Sequence, residues 1–207
     1  MWLNHHILPF STHLFTGRLA LKLVENKSLV VHKSAVIAAV NYLILWASDP
    51  LQSIIEAHEI GRKVGQQTGD FLHSAMNWQS SIVTSYLVGA CLDKVKANSE
   101  DSIVVMESQK NFGFIGYAIL YYHQPRVLKE GLIALDAKTP GNILTEKEAL
   151  AQFSDPIFLT SYKIHQLVRA YLFRRLDDLQ SFDIVDISDL IERNKHPIPS
   201  FSLWPFL

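Results

Sequence analysis

Between Asp49-Pro50 and Thr68-Gly69-Asp70 the sequence runs without a break, and its apolar or small residues return every three or four positions. Leu51, Ile54, Ile55, His58, Gly61 and Gly65 fall on one helical face, with Gln52, Glu56, Glu59, Lys63 and Gln66 on the other. That period belongs to an amphipathic helix. Its ends are punctuated. Asp49 is suited to capping the first free amides, and Pro50 suits a first turn in which its missing N–H goes unused. Gly69 can adopt the left-handed conformation that ends a helix, and Asp70 can cap the next one. So short a connection turns two helices back on each other. Gly61 and Gly65 lie one turn apart on the inner face, where missing side chains admit a close neighbour.

The same plan recurs on either side. Phe71 to Ala90 completes the central pair, with Leu72, Ala75, Met76, Ile82, Val83, Tyr86 and Leu87 as its apolar stripe. Phe10 to Asn26 and Ser28 to Ala47 form a preceding pair. Leu92 to Lys110 and Phe112 to Asp136 form a following one, in which Pro125 is expected to kink or split the second helix. Pair starts recur at roughly 40 residues, within the range of helical-repeat proteins. The expected fold is all-α, an α-solenoid of antiparallel, tetratricopeptide-like helix pairs.

Ala137 to Gly141 reads as a loop, and Thr145 with Glu148 as a capping box opening a short helix to Gln152. Asp155-Pro156 repeats the earlier start signal for a helix to Arg175, and Asp177 to Arg193 gives another. The organisation expected is a terminal segment 1–9, a helical-repeat domain 10–194 with a sub-boundary near 137–144, and a proline-rich tail 195–207.

Composition narrows the function. Hydrophobic residues make up 48% of the 207, ample for a core. Lysine and arginine (19) balance aspartate and glutamate (20), without the basic excess that phosphate neutralisation demands, so no nucleic-acid partner is expected. Cys91 is the only cysteine and forms neither an internal disulfide nor a zinc cluster. With no basic segment ahead of the first apolar residues, the reading is cytoplasmic. Asn26-Lys27-Ser28 matches a glycosylation sequon, which matters only in a secreted context. The apolar runs Ala35 to Ala47 and Phe112 to Tyr122 fall short of the ~18 to 20 residues of a spanning helix and read as buried, so no membrane span is expected.

No motif commits to a reaction. His58-Glu59 begins the zinc pattern His-Glu-x-x-His, but Arg62 stands where the second histidine belongs. His5-His6 is an adjacent pair in a terminal segment. Gly65 to Gly69 is followed by neither Lys-Ser nor Lys-Thr and is a helix end, not a phosphate loop. Phe112, Phe114, Tyr117, Tyr121 and Tyr122 are spaced for core packing, with a ligand groove as the alternative. Neither a nucleophile elbow nor a dinucleotide fingerprint nor the kinase triplets occur. No cofactor, metal or catalytic residue is expected. The rival readings are an enzyme using His58, His73, His123 or His165 in a helical pocket, and an incomplete gene product.

One stretch resembles a known pattern. Trp46-Ala-Ser-Asp49-Pro50, Gln52-Ser53, Glu56, Ala57-His58, Gly65 and Thr68-Gly69-Asp70, with Leu92-Asp93 and the Asp155-Pro156 helix beyond, is similar to the helical region of very large signalling proteins. Those proteins join a kinase-like domain to a predicted AAA-type ATPase. A tetratricopeptide-like region follows, often with a sensor domain and a histidine kinase or cyclase. The resemblance implies a non-catalytic interaction or regulatory module. Its partners would be a protein or the neighbouring domains of a larger chain. Trp46, Asp49, Pro50, Gly65, Thr68, Gly69, Asp70, Asp155 and Pro156 would be structural positions. The kinase and ATPase motifs are missing, and the chain reads as a fragment or free-standing copy. Its apolar ends, Trp2 to Phe10 and Pro199 to Leu207, leave two expectations: they fold back over the end helices and close the core, or the end surfaces stay open and the chain self-associates.

Overall fold

The computed structural model describes residues 10–110, 114–131, 144–153 and 156–175. Among the described residues the chain is all-α, with eight α-helices and no strand. It divides into two compact units, residues 1–81 and 82–207, the division falling within the fourth helix.

In the first unit α1 (Phe10–Leu23) leads through a 3₁₀ turn (Lys27–Leu29) to α2 (Val30–Leu43). Asn26 caps that turn, its Oδ1 accepting from the Ser28 amide and hydroxyl. The connection is short and α2 folds back along α1. A Cβ at Gly17 would lie 3.0 Å from Val40 and 3.1 Å from Ile44, so α1 presses its glycine against the far end of α2. Trp46 sits in a second 3₁₀ turn (Leu45–Ala47), which leads into α3 (Leu51–Thr68). Val40, Leu45 and Ile54 form a buried core joined by Leu14, Ala20, Leu21, Val36 and Ile44.

The expected start of α3 needs correction. Pro50, in extended backbone, is the N-cap residue, and no side chain caps the helix. Asp49 instead holds Arg18 at 3.0 Å and accepts from the Ser48 hydroxyl at 2.8 Å. An ion pair to a neighbouring helix has displaced the cap. The far end is as expected. Gly69 adopts φ +79°, Thr68 returns its hydroxyl to the Val64 carbonyl, and Asp70 accepts from the His73 amide to cap α4 (Phe71–Leu87). Gly69→Val should therefore cost on the order of 1 kcal/mol or more. Asp70→Ala should cost roughly 0.5–2 kcal/mol. Urea unfolding of the two variants measures both, and unchanged midpoints would show that the turn is not held this way.

In the second unit α5 (Leu92–Ser108) packs on α6 (Ile115–Glu130), and α6 also meets α7 (Glu146–Gln152) and α8 (Pro156–Leu172). The buried face of α5 is Val95, Ser99, Ser102, Ile103 and Met106. The two serine hydroxyls return to carbonyls of their own helix, at 2.9 and 2.7 Å, so that an apolar neighbour is tolerated. A Cβ at Gly116 would meet the Phe153 ring at 2.9 Å, which fixes the close contact of α6 with the end of α7. Pro125 does not split α6 into two elements. The helix continues through it, and the proline is buried, so apolar packing outweighs the one intrahelical bond its nitrogen cannot donate. Thr145 and Glu148 form the expected capping box on α7. Pro156 opens α8; Asp155, the 137–141 loop, the Asp177 to Arg193 helix and both terminal segments lie outside the described residues.

Lys27–Ala47, taken with its flanking turns, is long and apolar enough by length and composition to cross a membrane. The apolar run from Ala35 is the inner part of this longer stretch. Within the fold Ser34 and Asn41 on it are buried, and Ser34 is hydrogen-bonded to other helices.

Candidate functional site

α4 buries Ala75, Ile82 and Val83 of its expected apolar stripe, but it buries many polar residues as well. Leu72 is exposed, while Ser74, Asn77, Gln79, Ser80, Ser81 and Thr84 are buried. A helix that hides so many polar groups needs partners for them. Asn77 is fully buried and is the hub. Its Nδ2 lies 2.8 Å from the His73 carbonyl, 3.0 Å from the Ser34 carbonyl and 3.3 Å from the Ser34 hydroxyl oxygen. Its Oδ1 lies 2.9 Å from His58 Nδ1. Ser34 donates its hydroxyl to the Gly61 carbonyl at 2.9 Å, and Ser74 donates to the Arg62 carbonyl at 3.0 Å. Three helices are thereby joined by one buried polar network. The glycines make it possible. A Cβ at Gly61 would stand 2.6 Å from the Asn77 amide, and one at Gly65 would stand 2.6 Å from Ser34 Oγ, 2.8 Å from the Asp70 carbonyl and 2.9 Å from Ser74 Cβ.

Because Asn77 Oδ1 can only accept, His58 Nδ1 carries the proton. Nε2 is then a buried lone pair with no partner among the described residues. Burial lowers the pKa of this imidazole to about 4, opposed by the Asn77 hydrogen bond and the nearby Glu59 charge. A histidine sealed at zero exposure does not reach a substrate proton, since general-base catalysis requires hydrogen-bond contact with the reacting group. His73 is placed differently. It is half-buried, its Nδ1 2.9 Å from both Asp70 carboxylate oxygens, and it elaborates the α4 cap. Beside the network Arg62 stacks over Trp78 at 4.6 Å and pairs with Glu59 at 2.9 Å.

The second unit holds its own buried polar chain. Gln124 on α6 is fully enclosed. Its amide donates to the Tyr86 hydroxyl at 3.2 Å, and its carbonyl accepts from Arg169 Nε on α8 at 2.5 Å. One turn before Arg169, His165 sits edge-on to Tyr121, the ring centres 5.0 Å apart, with Tyr86 at 5.8 Å. Burial, and then the Arg169 charge, lower the pKa of His165 to about 3, and its Nε2 also lacks a partner among the described residues. Burial likewise raises that of Tyr86. The aromatic run thus packs: Tyr121 and Tyr122 are buried and Tyr117 meets Phe158 edge-on, while Phe112 lies outside the described residues. Among the described residues no three side chains of metal-ligating type converge.

Of the nine structural positions read from the sequence, Gly65, Gly69 and Asp70 build the close approach and the turn, and Thr68 closes α3. Asn77, Ser34 and Gln124, which organise the interior, carried no signal of their own. His58 and His165 give a pH prediction. Both have folded pKa values below the unfolded value near 6.5, so the unfolded chain binds their protons first and stability falls as pH drops below 6.5. Between about pH 7 and about pH 5.5 the loss should be about 1 kcal/mol per histidine. Urea unfolding at the two pH values measures it. His58→Gln with His165→Gln should flatten the dependence, and an equal slope in that variant would show that neither imidazole is sealed.

Comparison of the chain with protein-family models, with curated proteins and with solved structures finds no match.

Proposed function

We propose that this chain is a non-catalytic helical interaction module, a tetratricopeptide-like stack of antiparallel helix pairs that engages a protein partner or the neighbouring domains of a larger signalling chain. The observation that carries the reading is a set of large apolar side chains left outward beside an interior that encloses polar groups. Polar groups such as Asn77, Ser34 and Gln124 are enclosed and hydrogen-bonded, while large apolar side chains stand outward. Ile60, Phe71 and Leu72 are exposed in the first unit, and Tyr171 and Leu172 in the second. Outward apolar groups of this size on a helix pair are what a partner covers. The resemblance around Trp46, Pro50 and Thr68-Gly69-Asp70 supports the signalling context, and the sealing of His58 and His165 supports the absence of catalysis.

A photo-crosslinking residue placed at Leu72 in the full chain, expressed in its own cells, tests the reading. A defined adduct, lost with Ile60→Glu and Phe71→Glu in a variant whose melting is unchanged, is the expected result. The purified chain should not hydrolyse ATP, since the phosphate loop and magnesium ligands are missing from the sequence. Turnover of any substrate that disappears with His58→Gln or His165→Gln would overturn it.

A further inference from the structure

We propose that the tip of the α1–α2 hairpin is a docking surface for an anionic lipid bilayer, a function beyond the protein-interaction reading and independent of it. Phe15, Leu19 and Leu23 follow each other at four-residue intervals along α1, so they form one stripe, and all three are exposed, Phe15 by 70%. Leu23 ends α1; Val30 and Val31 begin α2 and are exposed as well. Exposed apolar side chains therefore flank the connection on both helices. It belongs to a hairpin whose opposite face, with Leu14, Ala20, Leu21 and Val36, already fills the core.

Charge selects the occupant. Residues 10–33 hold Arg18, Lys22, Lys27 and Lys33 against Glu25 alone, a net +3 in a chain of net −1, which leaves −4 for the remainder. Arg18 is engaged by Asp49, but Lys22 and Lys27 are exposed beside Leu23 and Val30. Lysine stems lie along apolar surface and present their ammonium groups at its rim, the arrangement by which an interfacial helix meets acidic headgroups. A second copy would bring like charges together at the same tip. The polar residues of the connection are also unsuited to reading a partner's backbone, because Asn26 and Ser28 are hydrogen-bonded to each other. Insertion of α2 as a span would break the buried bonds of Ser34 to Gly61 and Asn77, so the contact is at the surface.

Sedimentation of the full chain with vesicles of phosphatidylcholine alone, or with about 30% phosphatidylserine, tests this. Binding to the anionic vesicles should be at least about tenfold stronger than to the neutral ones and should fall by a similar factor in about 0.5 M salt. Lys22→Glu with Lys27→Glu should abolish the preference with melting unchanged. Leu19→Ser with Leu23→Ser should weaken binding by at least about tenfold, as loss of buried apolar area requires. Any of three results would overturn the proposal: no binding or equal binding to both vesicles, retention after alkaline carbonate extraction, or a dimer in light scattering that Leu23→Ser dissolves.

Discussion

Replacing Asn77 by alanine should lower stability by about 3–5 kcal/mol, the largest loss expected from a polar residue in the first unit. The side chain is at zero exposure and serves both neighbouring helices, donating toward Ser34 and accepting from His58. Removing it leaves the His58 N–H and the Ser34 carbonyl without their partner in a dry interior, each at about 1–3 kcal/mol, and adds a small cavity. Urea unfolding of the variant beside Gln52→Ala, an exposed change expected to stay within about 0.5 kcal/mol, gives the comparison. A double-mutant cycle with His58→Ala should show strong coupling. A loss for Asn77→Ala below about 1 kcal/mol would mean that water replaces the amide freely, and the buried hub would be wrong.

Gly65→Val should cost about 3 kcal/mol, well above Gly69→Val four residues later. The contrast separates two reasons for glycine. At Gly69 nothing lies within 4 Å of a Cβ, and only the left-handed backbone resists substitution. At Gly65 the backbone is ordinary helix, but the new atom meets the Asp70 carbonyl at 2.8 Å, and a main-chain group cannot swing away as a side chain can. Gly65→Ala should fall between, because alanine's better helix propensity returns about 1 kcal/mol against the clash. Equal losses at the two positions, measured by thermal unfolding, would refute the distinction.

Helix positions were legible in the sequence because apolar spacing and Gly-Asp or Thr-x-x-Glu punctuation are local signals. The glycine pair was legible for the same reason, two residues without side chains on an otherwise apolar face. What organises the interior was not. Asn77, Gln79, Ser80 and Ser81 lie outside the apolar stripe expected of α4 and carry no signal of burial, since a polar residue looks alike in sequence whether it faces water or a carbonyl of another helix. Leu72, placed in the core by periodicity, is exposed instead. Asp49 failed as a cap because Arg18, 31 residues earlier, competes for it, and no local rule contains that partner. The missing N–H of Pro125 gives no sign in sequence that α6 runs on unbroken, because the burial around it depends on the rest of the fold.

The network around Asn77 also sets how far these helices can slide. Apolar stripes tolerate slippage, since leucine against leucine is much the same one turn along. A slip of α4 along α3 by one turn, about 5.4 Å, would carry Asn77 from the notch over Gly61 and its bonds from Ser34 and His58 at once. The neighbouring notch, at Gly65, is already filled by Ser34 and Ser74. An all-helical chain, in which mispairing of helices is a natural folding error, thus carries a keyed joint between α3 and α4. The key admits a single axial alignment, as an isolated polar contact does in a helical coil.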